Sequence, residues 1–339
     1  MNKKGLYPWQ NETWKRLIAD KARLPHALLL RGRPGIGKLD FAVSLAKSLL
    51  CAAPQTGGFF CDQCASCSWF EQNNHPDYRF LMPEQESSAD EDVPAKKTTK
   101  KSQISVAQIR ELNGFLELSS HQGGGVRIAI IYPAEALNVS SANALLKMLE
   151  EPPAGVIFLL VTHQPQRLLP TITSRCHKVD MPVPTTDVAL QWLQSQGVTE
   201  NPLEQLSYAG GSPLSVLNAV GESMDLEKNT SKMLAQGSKL DPFVAAPLCL
   251  VQGMEVALHT LQKWIYDLLA VRLVNNVHYH SAYVSALQAL SKSVDLARLL
   301  DFQQKLNEAR KSASHPLNNE LQMEGLLLQY TQLFTTKTN

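Results

Sequence analysis

Three continuous apolar runs and several stripes at helical spacing organise the chain. The run "HALLLR" (26–31) is short, and a glycine-rich loop follows it at once. "VRIAII" (126–131) and "VIFLLVT" (156–162) are apolar at every position or nearly so, as strands buried on both faces of a parallel sheet are. Helical periodicity predicts helices over 38–51, where Phe41, Leu45 and Leu49 share a face, over 104–120, and over 140–151, stopped by Pro152 and Pro153. Strands alternating with helices predict a parallel α/β sheet covered on both sides. A Pro-rich hinge, "MPVPTTD", follows at 181–187, then short helical segments to about Gly237. From 240 onward the pattern is all-helical. Leu258, Leu261, Ile265, Leu268 and Leu269 form one stripe, and Leu321, Leu326, Leu327 and Leu328 mark the last helix. Such leucine stripes read as core.

Composition narrows the class. A chain of 339 residues, 44% hydrophobic and 19% charged, suits a soluble protein of two or three domains. A net charge of +1 argues against attachment to nucleic acid by bulk charge alone. The longest apolar runs are far too short to span a bilayer. Two lysines near the N-terminus have no apolar segment behind them, so a cytoplasmic protein and no membrane association are expected. The stretch at 84–103, acidic first and lysine-rich after, reads as a disordered insertion.

Four of the six cysteines, Cys51, Cys61, Cys64 and Cys67, lie within 17 residues as C-x9-C-x2-C-x2-C. Reduced cytoplasmic thiolates at this spacing can close around one structural Zn2+, and an iron–sulfur cluster is the alternative. Cys176 and Cys249 stand alone and read as small buried apolar residues.

The loop "RGRPGIGKLD" (31–40) supplies Gly32, Gly35, Gly37 and Lys38 of a phosphate-binding loop between a strand and a helix. Its next position, which should carry a hydroxyl for magnesium, is Leu39. A second magnesium position is expected at the end of the strand "IAII", taken as the neighbour of the loop strand. There the residues are Tyr132 and Pro133, and Glu135 lies too far along the chain to substitute without a rebuilt loop. The loop is expected to bind ATP weakly or not at all and to show no intrinsic ATPase.

"NALLKMLEEPP" (143–153), "TSRC" (173–176), "HPDY" (75–78), "HALLLRGRPGIGK" and the cysteine module placed after the loop helix resemble bacterial clamp-loader subunits of DNA polymerase III. The resemblance is specific over residues 1 to about 220. Two kinds share these marks, the ATP-hydrolysing tau/gamma kind and the delta-prime kind with a decayed ATP site. Leu39, Tyr132, Pro133, and Leu214 in place of a sensing arginine, favour the second. The resemblance implies an α/β then all-α fold. An AAA+ P-loop NTPase-like domain (1–181) would hold the zinc module at 51–67, with a small helical lid (182–237) and a helical collar (238–339) after it. It implies a non-catalytic subunit of the polymerase holoenzyme, in a heteropentamer with tau/gamma and delta subunits that loads the sliding clamp onto primed DNA. It makes Arg175 an arginine finger acting in trans. Two other readings remain, an active tau/gamma-type ATPase and a zinc-dependent nucleic-acid-binding protein.

Overall fold

The computed structural model describes residues 5–84, 103–117, 125–218, 222–312 and 318–334. All but the ends of the 84–103 stretch lie outside them, as does the end of the helix expected over 104–120. Contacts divide the chain into two units, Met1–Pro184 and Thr185–Asn339, and the division falls inside the Pro-rich stretch at 181–187.

The first unit contains a five-stranded parallel sheet: β1 (Ala27–Arg31), β2 (Tyr78–Leu81), β3 (Arg127–Ile131), β4 (Val156–Thr162) and β5 (His177–Asp180), in the order β2-β3-β4-β1-β5. Its helices are α1 (Asn11–Ala19), α2 (Lys38–Leu50), α3 (Ala65–Glu71), α4 (Val106–Glu117), α5 (Val139–Glu150) and the single turn α6 (Pro170–Thr173). The pleat sends successive side chains to opposite faces. Leu28, Leu30, Ile128, Ile130, Leu159 and Val161 pack with Phe41 and Leu45 of α2. The residues between them, Leu29, Ala129, Ile131, Phe158 and Leu160, pack with Leu112 of α4 and Leu145 of α5. This two-sided burial is why three strands are continuous apolar runs. β2 and β5 were not visible as such runs. Each has four residues, and most of their side chains are at least partly exposed. β3 is not the neighbour of β1, contrary to the sequence-based expectation, because β4 stands between them.

The second unit is helical: α7 (Thr186–Ser195), α8 (Pro202–Tyr208), α9 (Pro213–Asn218), α10 (Glu222–Leu234), α11 (Pro242–Cys249), α12 (Met254–Val274), α13 (Val284–Ser293), α14 (Leu296–Ser312) and α15 (Asn319–Gln332). The stripe Leu258, Leu261, Ile265 and Leu268 is fully buried on α12, with Leu269 partly buried. On α15, Leu326 and Leu327 are core, whereas Leu321 and Leu328 face solvent. Cys176 and Cys249 are buried, and burial pushes both thiols up, Cys176 to about 11. Neither is a ready thiolate. No single helix among the described residues is long and apolar enough to cross a membrane.

Tyr330 makes two buried polar contacts in the helical core. The Tyr330 hydroxyl accepts from Trp264 Nε1 at 2.8 Å and donates to the Leu234 carbonyl at 2.6 Å. Tyr330→Phe keeps the packing and leaves a buried donor and a buried acceptor unpaired. We expect a loss of about 1–3 kcal/mol of stability, read from urea unfolding. No change would mean that those two groups find other partners.

Candidate functional site

The carboxyl ends of β1, β3 and β4 meet at one edge of the sheet, the usual place for a site in a parallel α/β fold. The loop after β1 runs from Gly32 into α2. Gly35 (φ +71°) and Gly37 (φ +78°) adopt left-handed backbone conformations, which fits their place in a tight loop. The form of a phosphate cradle is therefore present.

What fills it belongs to the chain itself. Lys38 is buried at 2% exposure, and its ammonium carries three donors. They reach the Gly32 carbonyl (2.7 Å), the Arg33 carbonyl (2.5 Å) and Nδ1 of His163 (2.7 Å). His163 follows directly after β4, and its Nε2 lies 3.1 Å from the Tyr132 hydroxyl at the end of β3. With Lys38 charged, this network assigns Nδ1 as acceptor and Nε2–H as donor. The backbone N–H of His163 donates to Glu135 Oε1 at 3.0 Å. Glu135 is thus part of the site, through a 3-10 turn at Ala134–Ala136 that sequence spacing alone does not reveal. Its other oxygen, Oε2, is buried without a hydrogen-bond partner among the described residues.

The N-terminal segment covers the other side of the loop. Trp9 Nε1 donates to the Ile36 carbonyl (3.0 Å), and Gln10 Nε2 donates to the carbonyls of Ile36 (3.0 Å) and Gly37 (2.7 Å). A Cβ at Gly37 would lie 2.3 Å from the Tyr7 ring. Tyr7 stacks on Trp9, with centroids 5.0 Å apart, and its hydroxyl donates to Asp40. Leu39, at the hydroxyl position, packs against the core beside α2. The cover by Tyr7, Trp9 and Gln10 was missed from sequence, as was His163. The position of His163 just past a strand was the available signal.

The four cysteines come together. Their sulfurs all lie within 4.8 Å of one another, with Cys51–Cys61 at 3.6 Å and Cys51–Cys64 and Cys61–Cys67 at 3.9 Å. A zinc–sulfur bond of about 2.3 Å in a tetrahedron sets sulfurs roughly 3.8 Å apart. The set therefore fits one mononuclear ion, and a cluster of several irons would hold its thiolates further apart. Backbone N–H groups point at the sulfurs, from Cys61 to Cys51, from Gln63 and Cys64 to Cys61, and from Cys67 to Cys64. The donors from Gln63 and Cys64 hold the Cys61 thiol below its ordinary range, whereas burial pushes Cys67 up to about 12. A divalent cation would supply the charge that lets all four ionise.

The surrounding residues tie this module to the sheet domain. Lys47 of α2 pairs with Asp62 (2.5 Å) and Glu71 and lies 4.2 Å from the centre of the Phe60 ring. His75 of "HPDY" accepts from the Asp77 N–H and shares a 2.8 Å hydrogen bond with Ser66, whose hydroxyl reaches the Leu50 carbonyl. That motif locks α3 to the end of α2 and the start of β2.

Arg175 stands elsewhere. It precedes β5, and the β1–β5 register pairs Leu28 with His177 and Arg31 with Asp180. Arg175 is therefore level with the amino ends of the strands, whereas the glycine loop leaves the carboxyl end of β1. It ion-pairs with Glu150, the last residue of α5, and donates to the Thr171 carbonyl at 3.0 Å.

Burial lowers the Lys38 amine to about 8, against the opposing pull of the Glu135 charge. The unfolded chain, with an ordinary lysine near 10.4, then binds more protons than the folded one between about pH 8 and 10. Stability should rise with pH across that window through this group. We expect lysine-selective NMR to show one amine titrating near pH 8, and Glu135→Gln to lower it further. A Lys38 amine titrating at the ordinary lysine value would contradict the burial.

Comparison with known proteins gives the family. A family model described as "DNA polymerase III, delta subunit" matches residues 9–185, and one described as "DNA polymerase III, delta subunit, C terminal" matches 222–332. The DNA polymerase III subunit delta' of Pseudomonas aeruginosa is 34% identical over 97% of this chain and 98% of that protein. The proteins of the same name from Escherichia coli and Bacillus subtilis are 35% and 34% identical over 61% and 62% of this chain, and over 58% and 56% of their own lengths. Family models over both units and a relative matched nearly end to end leave one assignment: the chain belongs to the DNA polymerase III subunit delta' family.

Proposed function

We propose that this chain is a non-hydrolysing member of a clamp-loader complex that acts on its neighbours and not on its own nucleotide. The observation that carries this reading is the state of Lys38, whose three donors all serve the chain's own groups. A phosphate would have to displace two carbonyls and a histidine, and Leu39 and Pro133 offer no ligand for magnesium. ATP binding is then weak or absent, and the protein supplies no catalysis in cis. Its cellular place is the cytoplasm, where the polymerase works.

Arg175 is the group proposed to act in trans. Its place level with the amino ends of the strands supports this, because a guanidinium there does not serve the glycine loop of its own domain. Two N–H groups of its planar fork can meet a phosphate on an adjacent tau/gamma subunit. Glu150 holds the side chain until such a phosphate competes for it. Assembly with tau/gamma and delta subunits is supported by apolar surface on the second unit. α11 and α15 pack together, yet Phe243, Val244 and Leu248 on one and Leu321 and Leu328 on the other remain in solvent. In the pentamer this surface would join the collar, and the complex would place the sliding clamp on primed DNA.

The four cysteines hold zinc in this reading, with all four positions taken by protein and none open for chemistry. Elemental analysis of the reduced protein should give one zinc per chain. Cys61→Ser should lose it and open the 51–67 segment to protease, while the sheet domain stays folded. Iron, or protein without metal, would refute the zinc assignment.

A reconstituted loader tests the rest. Lys38→Ala should leave DNA-stimulated ATP hydrolysis by the complex unchanged, whereas Arg175→Ala should lower it, along with clamp loading, without impairing assembly. Arginine fingers elsewhere contribute about 10³–10⁵ in rate, and the effect here should be smaller because other subunits retain their own. Wild-type loading by the Arg175→Ala complex would dismiss the trans role. Loss of hydrolysis with Lys38→Ala would favour an active site in cis.

A further inference from the structure

Arg175 has a fixed root and a half-used tip. Its backbone N–H donates to the Ile172 carbonyl at 3.1 Å, and Ile172 and Cys176 on either side are buried in the core with Leu149 of α5. The guanidinium lies outside that core, and the side chain is 35% exposed. It carries five N–H donors. Nη1 donates to the Thr171 carbonyl at 3.0 Å and lies 3.5 Å from Ser174 Oγ, and Nη2 meets Oε1 of Glu150. Nε–H has no acceptor among the described residues, and Glu150 is the one charged partner of the fork among them.

Glu150 in turn stands where an acid is poorly placed. It ends α5 beside Glu151, and the last carbonyls of a helix already make that end negative, which favours cations there. The end itself is fixed, because Leu149 is buried and His26 Nε2 donates to its carbonyl at 3.0 Å. Arg175 therefore lies in the combined field of a carboxylate and a helix terminus. Yet the pair is open to water, with the Glu150 side chain 47% exposed, and an exposed pair is a weak one. A cation in a weak hold with donors to spare can be taken by a stronger anion. A terminal phosphate is one: it carries about two negative charges near pH 7 against the carboxylate's single charge.

We propose that Glu150 is a latch that regulates Arg175. It retains the guanidinium while the adjacent subunit offers no terminal phosphate, gives it up to a nucleoside triphosphate there, and reclaims it once that phosphate has been cleaved and has left. This inference rests on the trans role proposed for Arg175 and adds its control. Glu150 is a positioning residue, since it acts only through Arg175.

Two measurements test the latch. In the free chain labelled with 15N-arginine, NMR should show restricted rotation of the Arg175 fork. Glu150→Gln keeps the shape, removes the charge and should free that rotation. A fork equally mobile in both chains would overturn the latch. In the reconstituted loader with clamp and primed DNA, single-turnover ATP hydrolysis is compared for wild type, Glu150→Gln, Arg175→Ala and the double variant. The phase slowed by Arg175→Ala marks the site that Arg175 serves. At subsaturating ATP, Glu150→Gln should speed that phase about two- to fivefold, the upper part of what one exposed ion pair is worth. The gain should shrink as salt screens the pair and vanish in the double variant. If Arg175→Ala slows a phase that Glu150→Gln leaves unchanged or slows, or if the gain survives in the double variant, the latch is wrong and the finger stands. If Arg175→Ala slows no phase, finger and latch fall together.

Discussion

Everything at the carboxyl edge of the sheet follows from where one ammonium places its hydrogens. Lys38 enters α2 at the position where a phosphate-binding loop keeps its lysine, and the chain answers each of its donors from within. A buried ammonium without partners would be costly, and three acceptors offset part of that cost. The consequence is that loop, β3 end and β4 end are drawn into a single network through His163, Tyr132 and Glu135. Tyr7, Trp9 and Gln10 close the opposite side by binding the loop carbonyls. Leu39 and Pro133 offer no ligand for magnesium, and these contacts hold the loop in shape around Lys38.

The cysteine module and the sheet domain are joined by the same satisfaction of buried groups. Lys47, almost fully buried, takes two carboxylates from the module and faces an aromatic ring. Trp14 stacks on Phe59 at 5.0 Å and donates to the Gly57 carbonyl. Such contacts make the cysteine loop an extension of α1 and α2 and not a separate appendage.

The sequence made the buried parts of this fold readable and the exposed or long-range parts opaque. β1, β3 and β4 are covered on both faces, so each is an apolar run. β2 and β5 have exposed side chains and only four residues, and no periodicity reveals them. The cysteines were legible because their spacing alone limits what they can surround. Leu39, Tyr132 and Pro133 were legible as absences within a known pattern. His163 and the N-terminal cover were not, since they reach Lys38 and Gly37 across 125 and about 27 residues of chain, where spacing has no voice. Glu135 was placed too far away for a related reason: a single tight turn shortens the path in space but not along the sequence.

The separation of Arg175 from the glycine loop gives this domain a direction. One edge is sealed, and the other presents a cation held by a single carboxylate. Subunits that meet head to tail each need a donating side and a receiving side, and repeated contacts of that kind either close into a ring or run on without limit. If Arg175 acts in trans as proposed, a chain that donates without receiving supplies neither outcome. It can stand only at the end of a row of active neighbours, and a row that ends is a broken circle with a defined gap.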